Sequence, residues 1–173
     1  GSSTALVVPS EIGGKRVTRI GDSAFVGCRD LESVSILEGV TQIGQHAFYG
    51  CSSLTSVSIP GSVAAMGMDA FLFCSSLTDI HVAEESEHYT SEGGVLYDKE
   101  KTRLLRCPEG KKGTFLIPEG VTGIGDSAFR GCNGLTSVEI PGSVTGIGDH
   151  AFCGCDGLTS VEIPGSVTRI GGF

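Results

Sequence analysis

A chain of 173 residues carrying 12 basic and 20 acidic side chains, net charge −8, has no general electrostatic reason to bind nucleic acid or anionic lipid. Charged residues are only 18% and apolar ones 39%, a balance that suits a packed core rather than disorder. No apolar run approaches the ~18 residues of a membrane span and no signal-peptide pattern opens the chain.

Residues 1–3, Gly-Ser-Ser, read as a tag remnant, and residues 4–19 as the second half of a repeat with a longer turn around Gly13-Gly14. Full repeats then begin at Ile20, Ile43 and Met66 (20–42, 43–65 and 66–88), each 23 residues after the last. The pattern fades after Val82, and residues 89–123 form an insert and an irregular repeat. Within it VLYDKEKTRLL places two apolar runs around a polar turn, which predicts a β-hairpin. The period resumes at Ile124 and Ile147 (124–146 and 147–169), and 170–173 start one more unit. A fixed period in the twenties marks a solenoid, in which each unit buries its apolar face only against its neighbours. Residues 4–173 are therefore one array, and further chain is expected beyond residue 173.

Within LTSVEIP, Leu158, Val161 and Ile163 alternate with Ser160 and Glu162, as in a short strand with one buried face. Pro164 ends it, because proline has no amide to extend a ladder. Val167 and Ile170 then return to the core. The segment IGDHAF is too short for an ordinary amphipathic helix and reads as a single helical or 3₁₀ turn that inserts Ala151 and Phe152. Its Phe column, Phe25, Phe48, Phe71, Phe129 and Phe152, predicts one continuous spine of rings. A second column, Cys28, Cys51, Cys74, Cys132 and Cys155, stands three residues before the Leu that opens each strand. A small thiol there serves as a buried hydrophobe and weak donor, which favours free cysteines over stacked disulfides or a metal site.

The pattern IGxxAFxxCxxLxxVxIPxxVTx resembles the leucine-rich repeats of the BspA-like bacterial surface proteins. The interruption GGVLYDKEKTRLLRCPEGKKGTFLIPEGVT is similar to an insert those proteins often carry. The resemblance implies an α/β class fold: a right-handed leucine-rich-repeat solenoid with a parallel β-ladder, short helical or 3₁₀ turns on its convex side and one β-hairpin insert. It also implies secreted or surface-anchored proteins of host-associated bacteria, several of them adhesins and none an enzyme. No family motif marks binding residues.

Catalytic signals are thin. His46 and His150 share one repeat position, and Glu139 and Glu162 stack as a solvated column rather than an acid–base pair. No cofactor or metal is expected. Two surfaces remain as candidate sites. The concave ladder presents Ser56, Ser58, Asp79, His81, Ser137, Glu139, Ser160 and Glu162, in a sheet of about seven strands, roughly 30 Å across. The insert gathers Lys99, Lys101, Arg103, Arg106, Lys111 and Lys112 beside only Glu100 and Glu109, leaving six basic and eighteen acidic residues elsewhere. With Tyr97 beside it, this basic projection reads either as a docking element for an acidic partner or as a hairpin whose charges keep an edge from pairing. The expected function is non-catalytic binding of a protein or glycan at a cell surface. The competing reading is a spacer that holds other domains away from it, and association of such fragments end to end or edge to edge fits either reading.

Overall fold

A computed structural model describes residues 4–67 and 69–172. β1 (Thr4–Val8) leads into a hairpin of β2 (Glu11–Ile12) and β3 (Lys15–Arg16), turned by Gly13 and Gly14 at φ 57° and 77°. β4 (Arg19–Ile20), β5 (Leu31–Ile36), β6 (Gln42–Ile43), β7 (Ser56–Ile59), β8 (Ala65–Met66) and β9 (Asp79–Val82) follow. The insert supplies β10 (Tyr89–Glu92), β11 (Val95–Asp98) and β12 (Arg103–Arg106). The second half holds β13 (Gly113–Leu116), β14 (Gly123–Ile124), β15 (Leu135–Glu139), β16 (Gly146–Ile147), β17 (Ser160–Glu162) and β18 (Arg169–Ile170). Each regular coil thus gives one strand to a main ladder and a two-residue strand to a second ladder.

The 23-residue period becomes register. Ser33, Ser56 and Asp79 pair in one column of parallel strands, and Val34, Val57 and Ile80 in the next, which is buried. The main ladder is not the single sheet of about seven strands that the repeats predict. It comprises β1-β5-β7-β9 and, separately, β13-β15-β17. The insert occupies the gap. Its strands form an antiparallel meander, β10-β11-β12, which contains the expected hairpin and adds one strand before it. β12 then pairs in parallel with β14 and becomes the first rung of the second ladder. At the edge of β9, Ile80 N donates to Gly94 O (3.0 Å) and Val82 N to Ser91 Oγ (2.9 Å), so the meander satisfies amides that another coil would otherwise take.

Among the described residues the helical or 3₁₀ turns predicted for IGDSAF-type segments do not form; these segments are turns. The reason lies in where alternate amides go. In the first unit Ala24, Val26 and Cys28 donate back three residues, to Gly21 O, Ser23 O and Phe25 O. Ser23, Phe25 and Gly27 donate instead to Gln45 O, Ala47 O and Tyr49 O of the next coil. Half the local bonds are diverted sideways, and Ser23, His46, Ser127 and His150 sit at φ 54–56°, so no helical turn can propagate.

The core follows the same division. One cluster runs from Val8 to Val82 and Leu96, the other from Val95 to Ala151. The phenylalanine spine is two stacks rather than one. Phe25, Phe48 and Phe71 lie 5.1 and 5.5 Å apart nearly parallel, and Phe129 stacks on Phe152 at 5.1 Å. Cys107, whose amide bonds Ala128 O as Phe25 bonds Ala47 O, takes the ring position in the insert coil and leaves the break.

Candidate functional site

The main-ladder face carries the polar columns read from the sequence. Ser33, Ser56 and Asp79 stand in register beside Ser35, Ser58 and His81. In the second half Thr114, Ser137 and Ser160 stand beside Leu116, Glu139 and Glu162. Asp79, His81, Glu139, Ser160 and Glu162 are exposed, and Ser56, Ser58 and Ser137 half-buried. The meander separates the two groups, so they are two short faces and not one continuous row. Val7 and Leu116 are the large apolar side chains exposed on them.

The insert differs from its expected form in one respect that decides its chemistry. Tyr97 and Arg106 are not on the surface: they are 1% and 3% exposed. Tyr97 points inward because β11 lies between the two cores, Val95 and Tyr97 packing into the second and Leu96 into the first, and burial raises its phenol to about 12. Arg106 Nη2 binds Glu109 Oε1 and its Nη1 binds Ser127 O, both at 2.6 Å. The remaining basic side chains are largely engaged by the insert itself. Lys99 Nζ donates to Glu84 O (3.2 Å) and Lys111 Nζ to Gly93 O (2.6 Å). Lys101 pairs with Glu92 and lies 5.8 Å from the centre of the Tyr97 ring, while Arg103 is 4.0 Å from Asp126. Asp98 fixes the β11–β12 turn by accepting from Thr102 N, Arg103 N and Thr102 Oγ1 at 2.7–2.8 Å. Lys99, Arg103 and Lys112 keep exposed positions.

Two residues that sequence reasoning passed over meet here. Gly27, Gly50, Gly131 and Gly154 occupy one repeat position at φ 68–77°; in the third repeat that position is Phe73, at φ 60°. Glycines 27, 50 and 131 donate their amides to a carbonyl of the following coil, but Phe73 faces the insert, and its N–H donates to Glu109 Oε1 at 2.6 Å. The Glu109 carboxylate thus stands where a backbone carbonyl stands elsewhere. Burial pushes its acidity toward higher pH, against the pull of the Arg106 guanidinium. A column of glycines broken by one Phe was the available signal. Glu109 left none, because its burial depends on the missing coil.

In the repeat column Cys51, Cys74 and Cys132 are buried as predicted and Cys155 is half-buried, whereas Cys28 in the first unit is exposed. All seven cysteines are free, and Cys51, Cys74 and Cys155 donate to Phe25 O, Phe48 O and Phe129 O at 3.2, 3.2 and 2.9 Å. Burial raises Cys155 to about 12, which keeps it protonated and unreactive. Among the described residues no three His, Cys, Asp or Glu side chains gather as metal ligands, and no helix is long and apolar enough to cross a membrane.

Stacked 23-residue coils, a parallel ladder and a cysteine column that donates to the neighbouring coil's backbone define a leucine-rich-repeat solenoid. The chain belongs to the family described as the BspA type leucine rich repeat region, which matches in six copies over residues 8–95 and 111–173. The fold is similar to a leucine rich cell surface protein from Faecalibacterium prausnitzii, at 33% identity and TM-score 0.76, covering 96% of this chain and 49% of that one. It is also similar to a leucine-rich repeat protein from Eubacterium ventriosum, at 27% identity and TM-score 0.70, covering 97% and 56%. A T. pallidum leucine rich repeat protein shares 30% identity at TM-score 0.63, covering 99% and 74%. The chain spans about half the length of the first two. No curated protein matches it in sequence.

Proposed function

We propose that this chain is a non-catalytic binding module of a secreted or cell-surface bacterial protein, serving adhesion to host matrix proteins, glycans or other microbes. The observation that carries this reading is a rigid, hydrogen-bonded ladder that presents ordered polar columns to solvent, in a chain whose relative from Faecalibacterium prausnitzii is a cell surface protein. Such a face offers many weak, regularly spaced contacts and no enclosed pocket for chemistry. The second reading, a spacer holding other domains off the surface, is favoured by the internal engagement of Lys99, Lys101 and Lys111. The test is an array of host matrix proteins and glycans probed with three forms of the chain. One is unaltered, one carries Lys99→Glu, Arg103→Glu and Lys112→Glu, and one carries Ser58→Arg and Ser137→Arg. Loss of a signal only in the ladder variant places recognition on the ladder, and loss only in the charge variant places it on the insert. No signal from any form supports the spacer.

A further inference from the structure

We infer that Cys28 and Cys51 are a modification site: a small-molecule disulfide of the glutathione class oxidises them to an intrachain disulfide that pins two neighbouring coils together. The cysteine column is built so that each thiol reaches across to the coil before it. Phe25 O accepts both Cys28 N (3.3 Å) and Cys51 Sγ (3.2 Å), so the Cys51 sulfur lies beside the Cys28 backbone. The same doubled acceptor recurs at Phe48 O, with Cys51 N and Cys74 Sγ, and at Phe129 O, with Cys132 N and Cys155 Sγ. One residue before the pair, a Cβ on Gly50 would stand 3.9 Å from Gly27 Cα, so the two coils run close here. Coils stacked at roughly the 4.8 Å strand spacing fall inside the range of about 4.4–6.8 Å between Cα atoms that a disulfide spans.

Access singles out one pair. Cys51, Cys74 and Cys132 are fully buried, whereas Cys28 is exposed. Cys51, Cys74, Cys107, Cys132 and Cys155 all donate through sulfur, but Cys28 Sγ makes no hydrogen bond among the described residues. Turning it toward Cys51 therefore breaks nothing. Cys155, the other column member that solvent reaches, is held protonated by the burial that raises it to about 12. Burial and the neighbouring Cys51 raise Cys28 too, so its attack quickens toward alkaline pH.

The chemistry is two thiol–disulfide exchanges. The Cys28 thiolate attacks one sulfur of the small disulfide, and the first glutathione leaves. Cys51, already beside Cys28, then attacks Cys28 Sγ and expels the second glutathione. One sulfur–sulfur bond is broken and one is formed. The two protons of the protein thiols end on the two glutathiones, so two protein thiols are oxidised while one disulfide is reduced. The bridge joins residues 23 apart, and restricting that loop in the unfolded chain favours the folded one. The inference is independent of what the chain binds.

The experiment incubates the folded chain with oxidised glutathione under nitrogen, with and without urea, then blocks remaining thiols and maps the digest by mass spectrometry. In the folded chain the main product should be one peptide pair joining Cys28 to Cys51, with the other five cysteines blocked as thiols. In urea that preference should vanish, because closure then follows loop length and the neighbouring Cys153 and Cys155 gain. The bridged chain should melt about 5 °C higher than the reduced one, and dithiothreitol should reverse the gain. Cys28→Ser, a change at an exposed position, should fold as before and show no gain. Glutathione left on Cys28 without a bridge overturns the inference, as does a bridge elsewhere or the same products with and without urea. A Cys28–Cys51 bridge that does not raise the melting temperature also overturns it, since the bond would then distort the coils rather than pin them.

Discussion

Gly148 shows how tightly each coil is seated on the one before. A Cβ at this residue would stand 2.3 Å from Asp126 Oδ1 and 2.6 Å from Asp126 N. That carboxylate oxygen is there because it accepts the Asp149 amide at 3.0 Å. Asp and the next coil's Gly are one device, and the same close approach recurs at Gly44 and Gly171. Gly148→Ala should therefore cost about 1–3 kcal/mol, read as a lower urea midpoint. Gly146→Ala, two residues away with nothing within 4 Å, should be neutral or stabilising by up to about 1 kcal/mol. Equal effects would refute the interlock. The buried thiols make a second prediction at this scale. Cys155 is raised from an ordinary value of 9.0 to about 12 by burial. Above pH 9 the unfolded chain releases a proton that the folded chain keeps, so this contribution is whole below about pH 9 and is lost as pH climbs toward 12. Under anaerobic conditions the melting temperature should fall across that window, and less steeply in Cys155→Ala. Identical slopes would show that Cys155 does not titrate in this way.

At the scale of elements the strand and the turn were unequally legible. The alternation in LTSVEIP and its proline are properties of one repeat, and the ladder strands lie there, although in the last unit β17 ends at Glu162 and Ile163, read as inward-facing, is 47% exposed. The turn was misread as helical because its decisive bonds are not within one repeat: Phe25 and Gly27 donate to the coil that follows. A pattern of short local contacts cannot show an amide diverted sideways by 22 residues. The Phe column was legible as a column but not as an interrupted one, since only the three-dimensional path puts Cys107 in a ring position. The consequence for stability is graded. Phe48 is fully buried between Phe25 and Phe71, so Phe48→Ala should cost roughly 3–5 kcal/mol. Phe25 has a ring on one side and is only partly buried, so Phe25→Ala should cost clearly less. Chemical denaturation of the two variants decides it, and equal losses would contradict the stacked-spine account.

Across the whole molecule the insert is the joint between two repeat stacks, each with its own main ladder and its own core. The sequence located this interruption but represented Arg106 and Glu109 as two charges in a basic run. Their spacing of three residues is visible, yet their burial follows from the absent coil and could not be. In place, Glu109 receives Phe73 N from the first stack, and Arg106, bound to Glu109, donates to Ser127 O of the second. One ion pair therefore ties amide to carbonyl across the break. Repeat arrays unfold as one unit only while the interfaces between neighbours are strong relative to the repeats themselves. Glu109→Ala leaves Arg106 buried without its anion and Phe73 N without an acceptor, a loss of about 3–5 kcal/mol. Because that loss falls on the joint, urea unfolding followed by circular dichroism should separate into two transitions where the unaltered chain shows one. Replacing both partners, Arg106→Leu with Glu109→Leu, removes the stranded charge and should recover part of the midpoint. It should not restore a single transition, because the tie between the stacks is still gone. A single transition with an unchanged midpoint in Glu109→Ala would mean that the meander's backbone bonds to β9 and β14 hold the two stacks together without the ion pair.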